Sequence, residues 1–126
     1  MQPFLAVSSL CWIGLGLWAF VTPESLLGAA GVAAGTRSGV VELRAMYGGL
    51  PTAVGVMAAA ALVRPREFRR PALLVLAYLC GGLFVARLLG ALLAREMTPF
   101  LASALLFEIL STAFAVHLLR VSGRVA

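Results

Sequence analysis

Four ionisable side chains lie inside long apolar runs of this 126-residue chain, Glu42, Arg44, Arg87 and Glu108, with Tyr47 close to the second of them. A charge at the centre of a bilayer costs at least ~2.5–3.5 kcal/mol, so each needs a partner or a task. A glutamate beside arginine in a low-dielectric site can act as general acid or base while the guanidinium stabilises a developing anion, and a tyrosine can donate or orient the proton. Glu108, Arg87 and Tyr47 are therefore the candidate catalytic residues. The same charges can equally serve as an ion-pair network that holds helices in register without chemistry.

Spacing selects the residues that accompany them. Glu42 and Arg44 are about 200° apart on a helix, whereas Arg44 and Tyr47 fall within about 60°, which favours Arg44 and Tyr47 as the inward pair and leaves Glu42 nearer the helix end to cap a neighbour. Ser111 and Thr112 lie one turn below Glu108 and continue its polar stripe toward the bundle. Pro51 has no N–H for the carbonyl of Tyr47 and clashes with it, which predicts a kink there and a free acceptor. Gly48 and Gly49 let backbone or ligand come close. Arg44, Gly48, Gly49, Pro51, Ser111, Thr112 and Glu42 thus make up the candidate ligand-binding set.

These residues must be carried by membrane-spanning helices. The chain is 62% hydrophobic and 12% charged, with a mean hydropathy of +1.02, where soluble domains carry roughly a quarter charged residues. Runs of about 20 apolar residues recur four times, at roughly 4–22, 38–63, 71–94 and 99–120. Stretches such as Met57 to Val63 show no polar stripe at helical period, and alternating short segments are absent, which disfavours a soluble bundle and a β-barrel. The fold class is all-α: one integral membrane four-helix bundle occupying 1–126 as a single domain.

All ten basic residues are arginine and all five acids glutamate, for a net charge of +5. They cluster in short gaps and form no basic face, so nucleic acid is excluded as a partner. Arg64, Arg66, Arg69 and Arg70 share one side with Arg120 and Arg124, against Arg37 and Arg95 on the other; the positive-inside rule places both termini in the cytoplasm. With no Lys or Arg before Arg37, the first span lacks the charged n-region of a signal peptide and reads as a retained helix. In the first loop Thr22-Pro23-Glu24 predicts the start of a short interfacial helix, Thr22 its N-cap, which Gly31, Gly35 and Thr36 would end. Gly82, Ala86 and Gly90 on the third span, and Gly55 and Ala59 on the second, are expected points of close helix approach.

At ~1.5 Å per residue, Arg44, Tyr47, Arg87 and Glu108 fall into one layer in the outer half of the bilayer. The run Glu42-Leu43-Arg44-Ala45-Met46-Tyr47-Gly48-Gly49, followed by Arg87 with Gly90 and by Glu108 in the last span, resembles a family of small bacterial four-helix membrane proteins carried as a domain of unknown function. The resemblance extends over nearly the whole chain and implies a four-span bundle without supplying an activity. Arg95-Glu96 departs from the short acidic turn expected before Pro99. A more distant similarity to DoxX-like membrane proteins implies redox or quinone partners.

The remaining chemistry-bearing residues carry simpler expectations. His117 is half a rotation from Glu108 and reads as interfacial; Cys11 and Cys80 read as small apolar residues. Trp18 and Phe20 are expected as interfacial anchors, with Trp12, Tyr78 and Phe84 in the core. No Walker loop, dinucleotide fingerprint, metal-ligand spacing or nucleophile elbow occurs, so no cofactor or metal is expected. The composite expectation is a multi-pass protein of the bacterial inner membrane, in contact with lipids and able to form homo-oligomers. Its polar site binds a small lipophilic ligand, with acid–base conversion such as isomerisation or ring opening. The alternatives are a noncatalytic structural or partner-docking protein, and proton-coupled transport as an oligomer.

Overall fold

The computed structural model describes residues 1–122 and is helical between short turns, so that Arg124 of the charge asymmetry lies outside the described residues. Four segments are long and apolar enough to cross a membrane: Gln2–Val21, Arg37–Val63, Pro65–Ala94 and Pro99–Ser122. These correspond to α1 (Gln2–Val21), a composite second span, α5 (Pro65–Ala94) and α6 (Pro99–Ser122), with the short α2 (Ser25–Ala30) between the first two. Large apolar residues are left uncovered on these helices, such as Leu10, 75% exposed, and Leu93, 87% exposed, which suits helices able to span a membrane.

The second span is built from α3 (Arg37–Leu43), a π-helical turn over Arg44–Gly49, and α4 (Leu50–Val63). Where the sequence predicts a kink, the helix changes its hydrogen-bond register, with the Leu50 N–H donating to the carbonyl of Ala45. Pro51 explains the change: its missing N–H and bulky ring disturb the preceding turn, and a π turn adjacent to it relieves the mismatch. α3 begins where Thr36 accepts from the Gly39 N–H at 3.0 Å, so Thr36 opens this helix rather than closing α2.

The first loop also departs from expectation at Thr22. Its hydroxyl donates back to the carbonyl of Trp18 at 2.8 Å at the end of α1, and it is the Thr22 carbonyl that accepts from Ser25 at the start of α2, where Glu24 is the N-cap residue. The end of α2 follows the expected rule: Gly31 adopts φ 70°, a left-handed geometry that spares glycine the Cβ penalty, and its N–H donates to Leu27. α5 starts at Pro65, earlier than the apolar run alone suggests, because Pro65–Arg70 is helical beyond the apolar zone, with Glu67 in its first turn. α6 opens on Thr98, whose hydroxyl accepts from Leu101 at 3.2 Å, with Pro99 in the first turn.

The chain divides into two compact units, one from Gln2 to Phe68 and one from Arg69 onward. In the first, α1 buries Leu5, Ser8, Ser9, Trp12, Gly16 and Ala19, a stripe at three- and four-residue spacing. This face runs against the π turn and α4 at very short range. A Cβ on Gly16 would lie 2.6 Å from the Gly48 carbonyl oxygen and 2.7 Å from the Thr52 nitrogen, and one on Gly55 would lie 2.7 Å from the Ile13 nitrogen. In the second unit α5 buries Ala72, Leu73, Leu76, Cys80 and Ala91, and α6 buries Leu105, Glu108, Ser111 and Ala115. Gly82 and Gly90 meet nothing within 4 Å and Ala86 is exposed, so that small-residue stripe is not a packing face; Gly81, against Thr112, is. Tyr78, expected in the core, is 80% exposed, since it lies on the opposite side of α5 from the buried stripe.

Candidate functional site

The apolar sequence around Arg87 and Glu108 offers no water to solvate either charge, and the second unit resolves this by pairing them. Arg87 lies about two turns from the end of α5, and Glu108 sits on the buried stripe of α6. Arg87 Nε donates to Oε1 and Oε2 of Glu108 at 3.0 and 3.2 Å, and Nη2 donates to Oε1 at 2.9 Å. This side-on fork is the strongest arrangement available to a guanidinium and a carboxylate. The partners differ in access: the Glu108 side chain is 4% exposed and that of Arg87 28%. Nη1 of Arg87 donates to no acceptor among the described residues.

The surroundings of the carboxylate are polar on one side. Thr112 donates its hydroxyl to the Glu108 main-chain carbonyl at 2.8 Å, and buried Ser111 lies beside the Cys80 side chain. Ser111 and Thr112 thus continue the stripe below Glu108, although Thr112 turns its hydroxyl onto its own helix. Nothing in the sequence marks Cys80 as a site residue; its place beside Ser111 depends on how α5 and α6 are rotated, which spacing along one helix does not reveal.

In the first unit Arg44 has a different employment. Its Nε donates to the carbonyl of Phe20 at 3.1 Å, and its guanidinium carbon lies 5.9 Å from the centroid of the Phe20 ring. The last carbonyls of a helix lack intrahelical donors, and a cation there is favoured by the helix dipole. Arg44 therefore caps the end of α1 across 24 residues of sequence. Tyr47 is 40% exposed and Glu42 is also exposed. Gly48 is buried because Phe20 presses on it, a Cβ there falling 3.0 Å from the Phe20 Cα, while Gly49 meets only the Arg44 carbonyl oxygen at 3.8 Å. Pro51 is half-buried, and Thr52 beside it donates to the Gly48 carbonyl at 2.7 Å.

Residues 1–119 match the family described as Domain of unknown function (DUF4345). The chain belongs to the DUF4345 family. No curated protein and no solved structure matches it. Cys11 and Cys80 are free thiols, and His117 is exposed. Among the described residues no three His, Cys, Asp or Glu side chains gather in a way that would hold a metal ion. The concentrated polar chemistry of its second unit is the Arg87–Glu108 pair with Ser111 and Cys80. The Phe20 carbonyl that fixes Arg44 escaped the sequence because it is a main-chain group; the signal was positional, a helix ending before Pro23 that needs a donor.

Proposed function

We propose that this DUF4345 protein is a multi-pass protein of the bacterial inner membrane that binds a small lipophilic molecule by its polar end, using Arg87 as the recognition group. The observation that carries the proposal is the uneven engagement of the guanidinium. Glu108 grips the Nε and Nη2 side from a buried position, while Nη1 has no acceptor and the arginine side chain is 28% exposed. An arginine held rigidly from behind with donors left over is pre-organised for a carbonyl, carboxylate or hydroxyl oxygen. Apolar surface around it suits the rest of such a ligand. Glu108 acts first as the positioning carboxylate; acid–base conversion of the ligand, by isomerisation or ring opening, would require it to give up part of that grip.

The test is extraction and mass spectrometry of molecules that co-purify with the protein, wild type against Arg87→Lys. Lysine preserves the charge but loses the fork, so a bound lipophilic compound is expected to fall by about tenfold or more while the fold is retained. An unchanged extract overturns the reading. Once a ligand is identified, Glu108→Gln separates binding from turnover: retained conversion removes Glu108 as acid or base. A second reading, that the pair only ties α5 to α6, draws support from its bidentate geometry and gains if both variants leave the extract unaltered.

Orientation belongs to the same proposal. The arginine asymmetry, with Arg64, Arg66, Arg69, Arg70 and Arg120 against Arg37 and Arg95, supports cytoplasmic termini. Single cysteines placed in 64–70 should be shielded from a membrane-impermeant thiol reagent in intact cells. Their labelling from outside would reverse the topology.

A further inference from the structure

A groove of about 240 Å³ opens beside the first loop. Pro23, Leu27, Val40 and Leu43 give it apolar walls, and Glu24 and Arg44 are the ionisable residues along its lining. The volume is below the ~300–1,000 Å³ of pockets that enclose drug-sized ligands. It therefore suits a polar headgroup whose tails lie outside. Its level fits that occupant: Arg44 reaches the Phe20 carbonyl at the end of α1, and Trp18 and Phe20 are exposed there as aromatic anchors of a membrane interface are.

The two charges are not spent on each other. Arg44 commits Nε to Phe20 and stacks on its ring, which holds the guanidinium in place with Nη1 and Nη2 lacking acceptors among the described residues. The Glu24 carboxylate takes part in no ion pair or hydrogen bond among the described residues, its main-chain carbonyl alone accepting from Leu27. A cation with both Nη groups to spare and an anion whose carboxylate has no partner, lining one groove, are complementary to a zwitterion. We infer that the groove is a phospholipid headgroup site that prefers phosphoethanolamine, with the phosphate on the Arg44 Nη atoms and the primary ammonium donating to Glu24. A choline head would satisfy the charge but has no N–H to donate, and a purely anionic head would meet Arg44 at the cost of facing Glu24.

Native mass spectrometry of the delipidated full chain, titrated with phosphatidylethanolamine, phosphatidylcholine and phosphatidylglycerol of equal chain length, tests this. Wild type is expected to retain the ethanolamine lipid over each of the others by about threefold. Glu24→Gln should erase the ethanolamine–choline difference, and Arg44→Gln should lower retention of all three. Because Arg44 also caps α1, Ala33→Trp provides an independent probe: Ala33 lines the groove and is exposed, so the indole fills the space while both partners of the Arg44–Phe20 bond stay unsubstituted. Loss of the ethanolamine preference in Ala33→Trp, with unchanged helical circular dichroism, supports the site. Equal retention of the three lipids by wild type, a preference for phosphatidylglycerol, or an undiminished ethanolamine preference in Glu24→Gln overturns it.

Discussion

The two units join their helices by opposite means. From Gln2 to Phe68, α1 meets the π turn and α4 backbone to backbone, at Gly16, Gly48 and Gly55, and among the described residues no ion pair links them. From Arg69 onward, α5 and α6 stand further apart and are bridged by the Arg87–Glu108 pair, with Cys80 beside Ser111. Lipid is as apolar as leucine, so neither contact draws on a hydrophobic driving force; one uses close van der Waals approach, the other electrostatics in a low dielectric. The first contact has no adjustable part. The second is made of groups that can exchange partners.

The largest expected effect breaks the side-chain bridge. Arg87→Met alone strands the buried Glu108 carboxylate and should cost about 3–5 kcal/mol, read as a lowered melting temperature in detergent. Glu108→Leu alone should be comparably harmful, whereas the double substitution should recover most of the loss, since apolar replacement of a whole buried pair is often close to neutral. Additive losses would mean that the two residues do not act as a pair.

An intermediate effect is expected in the glycine interface. Gly16→Val should cost about 1–3 kcal/mol, because the new atoms meet the Gly48 carbonyl and the Thr52 nitrogen, and backbone cannot rotate away. No second substitution should rescue it, in contrast to the ion pair. Gly82→Ala and Gly90→Ala, with nothing within 4 Å of the added carbon, should instead stabilise by about 0.5–1 kcal/mol through helix propensity. Thermal unfolding of the three variants side by side checks the contrast, and a harmless Gly16→Val would remove the close-approach account.

Composition alone made the four spans legible, since a run such as Met57 to Val63 has no polar stripe to hide from lipid. The Arg87–Glu108 pairing was legible for the same reason: opposite charges at similar depth in apolar helices have few alternatives to one another. Less legible was whatever depends on which helix stands opposite. Gly82, Ala86 and Gly90 have the spacing of a contact face yet remain open, while Gly16 and Gly81 do the packing, because small-residue spacing carries no information about the neighbour. Arg44 is an instance of another limit. Periodicity assigns it a face, but its hydrogen bond goes to a main-chain carbonyl that carries no sequence signature. Pro51 announced a disturbance without specifying its form, since a bend and a π turn answer the same missing N–H.

The smallest effect compares two threonines in equivalent local roles. Thr52 donates to the Gly48 carbonyl at 2.7 Å and Thr112 to the Glu108 carbonyl at 2.8 Å, each bonding back four residues along its own helix. Replacing either by valine removes the local hydroxyl bond to its own helix and keeps the branched shape. The neighbours differ. Thr52 Oγ1 lies directly against Gly16, where a methyl in its place crowds the α1 backbone, whereas Thr112 Oγ1 stands 3.7 Å from where a Cβ on Gly81 would be. Thr52→Val is therefore expected to lower the melting temperature about twice as much as Thr112→Val, the excess coming from packing rather than from the lost bond. Equal shifts would show that the glycine interface yields as readily as the ion-paired one, and the distinction between a rigid and an adjustable unit would fall with it.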